Sequence, residues 1–103
     1  PILEMPIHWS TDDSPHFEFV RTDANIRQGL QNAGDVLDNW IQEFLYMKQT
    51  VDWGVLTYTC HPFIIGRGHR IMMLEKLIQR IIDEGGVFQR VDETVDEFKA
   101  RAV

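Results

Sequence analysis

The run Val55-Leu56-Thr57-Tyr58-Thr59-Cys60-His61-Pro62, followed by Ile65-Gly66-Arg67-Gly68-His69-Arg70, decides how the chain is read. Its first half is apolar or β-branched at nearly every position. That is the composition of a strand covered on both faces, as in parallel sheets. A central strand is therefore expected over Val51–Cys60, closing on His61. Pro62 cannot continue a ladder, and the glycine–arginine turn after it starts a long amphipathic helix. A titratable side chain at the tip of a buried strand, just ahead of a loop, is where α/β proteins carry their chemistry.

Downstream, Arg70–Asp83 reads as a helix with Ile71, Leu74, Leu77, Ile78, Ile81 and Ile82 on one face. Gly85-Gly86 ends it. Val87–Val91 reads as a short strand, and Asp92 as the cap of a final helix with Val95 and Phe98 inward. Upstream, Val36, Leu37, Trp40, Ile41, Phe44 and Leu45 mark the buried face of a helix reaching about Thr50, with Asp35 as its N-cap. Asn25–Ala33 ahead of it reads as a short separate helix, since Gly29 and Gly34 weaken continuity. Ser10–Pro15 is turn chemistry. His16–Val20 is either a short strand or loop aromatics. Ile2–Trp9 alternates loosely around Pro6, as an edge strand does. Strand, loop, helix, strand, helix, strand, helix is the order of parallel βα units, so the expected class is α/β.

At 103 residues this is at most one small domain, or part of a larger one. The formal charge of −6 argues against nucleic acid or an anionic membrane as partner, since both need clustered Lys and Arg. Cys60 is the single cysteine, so an internal disulfide is impossible, which fits a reducing, cytoplasmic setting. There is no run of apolar residues long enough to span a bilayer. There is no secretory leader pattern either. The first residue is Pro rather than Met, which suggests one piece of a longer or cleaved chain.

If the first and central strands are parallel neighbours, Asp12, Asp13, His61, Arg67 and Arg70 converge on one rim. A histidine serves as general acid near neutral pH, and a carboxylate fixes its tautomer. Plainer readings stay open. His61 could be a strand-end histidine bonded to backbone, Asp12-Asp13 a turn cap, and the arginines structural. The four histidines form no H-x-x-x-H pair, so no complete metal site is expected within the chain.

The block Leu56–Pro62, with Ile65-Gly66-Arg67, Arg70 and the helix running to Gly85-Gly86-Val87-Phe88, resembles the C-terminal portion of the polysaccharide deacetylase family. The branch is that of peptidoglycan deacetylase-like, allantoinase-like and cyclic-imide-hydrolase-like enzymes. The entry segment Leu3–Trp9 with Asp12–Phe17 is similar to that branch too. The resemblance implies that residues 1–103 are the C-terminal part of an irregular (β/α) barrel, completed by a separate N-terminal chain. It implies a hydrolase of non-peptide amide C–N bonds acting on a small-molecule or sugar amide, inactive as this chain alone. His61 would be the catalytic proton donor. Trp9, Asp12, Asp13 and Pro62 would form the substrate rim, and Arg67 and Arg70 would brace the loop after His61. A divalent metal, zinc in the first instance, would be held by ligands outside this chain, and the completed unit would be a homo-oligomer. The alternatives are a cyclic imide or ureide ring hydrolase of the same superfamily, and a non-catalytic α/β interaction module.

Overall fold

A computed structural model describes residues 2–102. A 3-10 turn at Trp9–Thr11 leads into α1 (Asp13–Phe17) and a two-residue hairpin, β1 (Val20–Arg21) with β2 (Ile26–Arg27). Four helices follow α1: α2 (Ala33–Thr50), α3 (Pro62–Ile65), α4 (Gly68–Asp83) and α5 (Val91–Arg101). The core forms where α2 packs on α4. Val36 and Trp40 of α2 meet Met73, Leu77 and Ile81 of α4, and Phe17, Ile64 and Ile65 close one end. Lys48 reaches Glu84 at 3.2 Å, so α2 and α4 end side by side.

The buried stripe of α4 is Arg70, Met73, Leu77 and Ile81, with Leu74 half-buried beside it. The expected face is thus split. Leu74, Leu77 and Ile81 lie in or against the core, whereas Ile71, Ile78 and Ile82 form a second apolar stripe exposed to solvent. Among the described residues α4 packs on α2 and α3, and this second stripe stays exposed.

The three expected strands form no ladder among the described residues. Their place is taken by extended or irregular chain. Residues 52–58 make no backbone–backbone hydrogen bond to any described residue, and Val55–His61 is half-buried rather than covered on both faces. The reason is the absence of a neighbour: a strand is held by the amides and carbonyls of the next strand. Pairing begins at one point only. Asp12 and Thr59 form a parallel bridge, in which Thr59 N donates to Thr11 O at 2.8 Å and Asp13 N to Thr59 O at 2.9 Å. Upstream of the bridge the two segments part around a gap of about 230 Å³ lined by Leu3, Pro6, Trp53 and Phe98. The radius of gyration is 15.6 Å, against about 13 Å for a self-contained domain of this length. Residues 2–102 do not close a barrel by themselves.

Helix starts moved for local reasons. Asn32, rather than Asp35, caps α2 by accepting from Gly34 N and Asp35 N. α4 begins at Gly68, and α5 begins at Val91, ahead of Asp92. Gly85 follows α4 with φ of +89°, and Gly86 N donates back to Ile81 O at 2.8 Å. A β-carbon there is strained by the left-handed backbone, so Gly85→Ala should cost about 1 kcal/mol or more. Equilibrium denaturation against wild type measures it.

Candidate active site

Asp12 and Asp13 sit at the start of α1. Asp12 caps the helix: its Oδ1 accepts from Ser14 N at 2.9 Å. Asp-Ser-Pro is a helix-entry signal, since an acidic cap followed by proline in the first turn suits unpaired N–H groups. Asp13 is the next residue and has no exposed surface. The parallel bridge brings Thr59, and with it His61, against that helix end. Asp13 Oδ2 accepts from His61 N at 2.7 Å, and Asp13 Oδ1 stands 2.6 Å from His61 Nδ1. Pro62, the first residue of α3, turns the chain away immediately afterwards.

The chemistry follows from the donor and acceptor roles. A carboxylate only accepts, so Nδ1 carries a proton in both the neutral and the charged ring. The proton that comes and goes is therefore at Nε2, which no protein group among the described residues bonds. The ring is 40 % exposed. The hydrogen bond to Asp13 raises the His61 pKa above its ordinary 6.5, burial opposes the rise, and the charges of Asp13, Asp12 and Glu18 add to it. A buried carboxylate behind a half-exposed imidazole is the arrangement of a positioned proton donor.

The other sequence-derived residues fall as follows. Asp12 Oδ1 lies 3.9 Å from His61 Nδ1, beside the couple rather than in it. Trp9 is exposed in the 3-10 turn, and Pro62 is exposed. Arg67 is exposed as the N-cap of α4. Arg70 is buried, with Nη1 donating to Ile64 O at 2.8 Å. Cys60 is half-buried, and burial, with Asp13 and Asp12 nearby, pushes its thiol up to about 11. At neutral pH it is therefore protonated and a poor nucleophile. Phe63 escaped notice in the sequence. It is exposed and its ring lies edge-on to His61, 5.9 Å between centroids. Its signal was its place one residue after a helix-starting proline.

Asp12, Asp13 and His61 offer ligand atoms within 4.8 Å of one another. They do not fit a resident metal as they stand. Ligands at about 2.0–2.2 Å around a tetrahedral ion lie roughly 3.3 Å apart, whereas Asp13 Oδ1 and His61 Nδ1 are at hydrogen-bond distance, 2.6 Å. The other Asp13 oxygen holds the His61 amide, and Asp12 Oδ1 is engaged with Ser14 N. The remaining histidines stand apart from this group: His8 Nδ1 accepts from Ser10 N, and His16 Nε2 bonds Ser10 O. No helix among the described residues is long and apolar enough to cross a membrane.

No protein-family model matches the chain, and no solved structure matches it. Among curated proteins it is 30 % identical over 101 residues to a peptidoglycan deacetylase of Helicobacter pylori. That alignment takes in 97 % of this chain and 34 % of the relative, so the chain spans about a third of the length of the curated protein it matches. The likeness is to a deacetylase and lends no support to the ring-opening alternative.

Proposed function

We propose that this chain supplies the proton-donor wall of a deacetylase-like hydrolase that cleaves the amide C–N bond of an N-acetylated sugar. The observation that carries this reading is the couple of buried Asp13 and half-exposed His61, joined at 2.6 Å. His61 donates its Nε2 proton to the amide nitrogen as the C–N bond of the tetrahedral intermediate breaks, so the amine leaves uncharged. Asp13 does not touch substrate. It holds the tautomer and the ring plane, and it favours the imidazolium before the transfer. Trp9, Pro62 and Phe63, all exposed, form the rim on which the sugar rests. A divalent metal, in this reading, would be held by residues beyond these 103 and would supply a Lewis acid for the amide carbonyl.

The wall needs the rest of the fold, read as a (β/α) barrel, from residues outside these 103, in the same polypeptide or in a companion. Three observations support such a remainder: backbone over residues 52–58 without partners among the described residues, the exposed Ile71–Ile78–Ile82 stripe of α4, and a relative about three times as long. An open strand edge and an uncovered apolar stripe are unfavourable in water. Intact mass spectrometry of natively purified material should find that remainder, as a longer chain or as a companion. Acetate release from N-acetylglucosamine oligomers should appear with it and be absent without it. A completed fold that releases no acetate from N-acetylated glycans would sink the reading.

The pH dependence has a definite sign. His61 acts protonated and its pKa is raised, so activity should hold through 6.5 and fall as pH rises through the elevated value. The stability linkage runs the same way. The contribution of His61 is complete below 6.5 and is lost as pH climbs through its folded-state pKa. A pH–rate profile whose alkaline limb lies below 6.5 contradicts the assignment.

A further inference from the structure

We propose that Arg70 is the positioning residue of the Asp13–His61 couple, tying the far ends of the two short helices that carry it. This rests on the reading of His61 given above. α1 begins with Asp13 and ends at Phe17, and α3 begins directly after His61. The Arg70 guanidinium donates through Nη1 to Ile64 O at 2.8 Å and through Nη2 to Phe17 O at 3.4 Å. It also lies over the Phe17 ring, 4.6 Å from the centroid. One planar group thus spans the C-terminal ends of both helices. Bracing of the loop after His61 alone would need only the bond to Ile64.

The burial of Arg70 makes a filler role implausible. It is 8 % exposed, it forms no ion pair among the described residues, and its Nε has no partner. A buried cation without a carboxylate is costly, and methionine would fill the space without that cost. What arginine adds is a rigid fork that reaches two carbonyls at once. α1 is only about 7.5 Å long at 1.5 Å per residue, so a swing at Phe17 is passed almost undiminished to Asp13. A bond of 2.6 Å tolerates little of it.

The test is the titration of His61, followed by its ring Cε1–H resonance, in the purified protein carrying Arg70→Met, Arg70→Lys or Leu77→Ala. The charged groups facing the ring are Asp13 and Asp12 at the start of α1 and Glu18 at its end. Loss of a nearby cation would by charge alone raise the His61 midpoint. Loss of positioning weakens the bond to Asp13 and lowers it. The expected result for Arg70→Met is a lower midpoint, loss of the far-downfield Nδ1–H resonance and a fall of about ten- to a hundredfold in kcat with KM little changed. Arg70→Lys keeps the charge but cannot fork, and its midpoint should also fall. Leu77→Ala, equally buried on α4, should lower the melting temperature and leave the titration alone. A midpoint that rises or stays put in Arg70→Met overturns the proposal. If that variant does not fold, an unchanged midpoint in Arg70→Lys does so. The titration needs no turnover, so an inactive assembly with coupled midpoints sinks the deacetylase reading alone, and an active one with uncoupled midpoints sinks this inference alone.

Discussion

Exchanging His61 for asparagine is expected to lower acetate release by the assembled hydrolase by roughly 10²- to 10⁴-fold, the usual contribution of a general acid. Asparagine is chosen because its amide N–H can stand where Nδ1 stands and still donate to Asp13. Alanine would leave the Asp13 carboxylate, which has no exposed surface, with the backbone N–H of residue 61 alone. An uncompensated buried charge of that kind is destabilising in itself, and it would confuse lost chemistry with lost fold. Asp13→Asn is the converse. It offers an N–H where His61 needs an acceptor, so it favours the wrong tautomer, and a loss of comparable size is expected. Kinetic constants for acetate release, with a thermal melt for each variant, measure both. Turnover within a few-fold of wild type in a folded His61→Asn assembly would remove His61 from the chemistry.

Trp40→Ala should be the most destabilising single truncation in the core, at about 3–5 kcal/mol. Trp40 is fully buried, with Tyr58 5.1 Å and His16 6.3 Å away between ring centroids. Its Nε1 donates to Ser10 O at 2.8 Å, and its own carbonyl receives the Tyr58 hydroxyl at 2.5 Å. One residue of α2 therefore holds both chain segments that lead to the site. Trp40→Phe separates the two contributions. It keeps most of the burial and loses the indole donor, but Ser10 O still has His16 Nε2 at 2.8 Å. The donor should thus be worth only about 1 kcal/mol. Trp53→Ala, at a half-buried ring stacked beneath Arg101, should cost clearly less than Trp40→Ala. Denaturant midpoints rank the three, and a Trp40→Ala midpoint near wild type would mean that α2 does not anchor the site.

The helices were legible because each carries its own signal. The 3.6-residue repeat of Val36, Trp40 and Phe44 needs no knowledge of its partner, and α2 lies where that repeat places it. The short elements were less so. Pro62 reads as the end of a strand, yet proline is equally the first residue of a helix, and α3 starts on it. Val55–Cys60 has the composition of a buried strand, but composition cannot supply a neighbour. The segment remains without a ladder because pairing is a property of two segments. In the site, the company of Asp13 and His61 was legible as a shared rim. Which aspartate would face the histidine was not. Asp12 and Asp13 are adjacent in sequence, and only the cap geometry sends the first to Ser14 N and the second to His61. The contacts of Arg70 were half visible: one with the segment after His61 was expected, and its reach to Phe17, 53 positions away in sequence, was not.

The bridge between Asp12 and Thr59 makes the Asp13–His61 couple a matter of counting. Side chains alternate between faces along extended chain, so a slip of one position reverses every one of them. Two spacings then fix whether the couple exists: the single step from Asp12 to Asp13, and the two steps from Thr59 to His61. The Thr22–Asn25 turn of the hairpin, which makes no contact with the couple, can lengthen or shorten without disturbing it. One residue gained or lost inside either step erases it. Natural variation in related chains should therefore collect in the Thr22–Asn25 turn and leave these two short intervals at constant length.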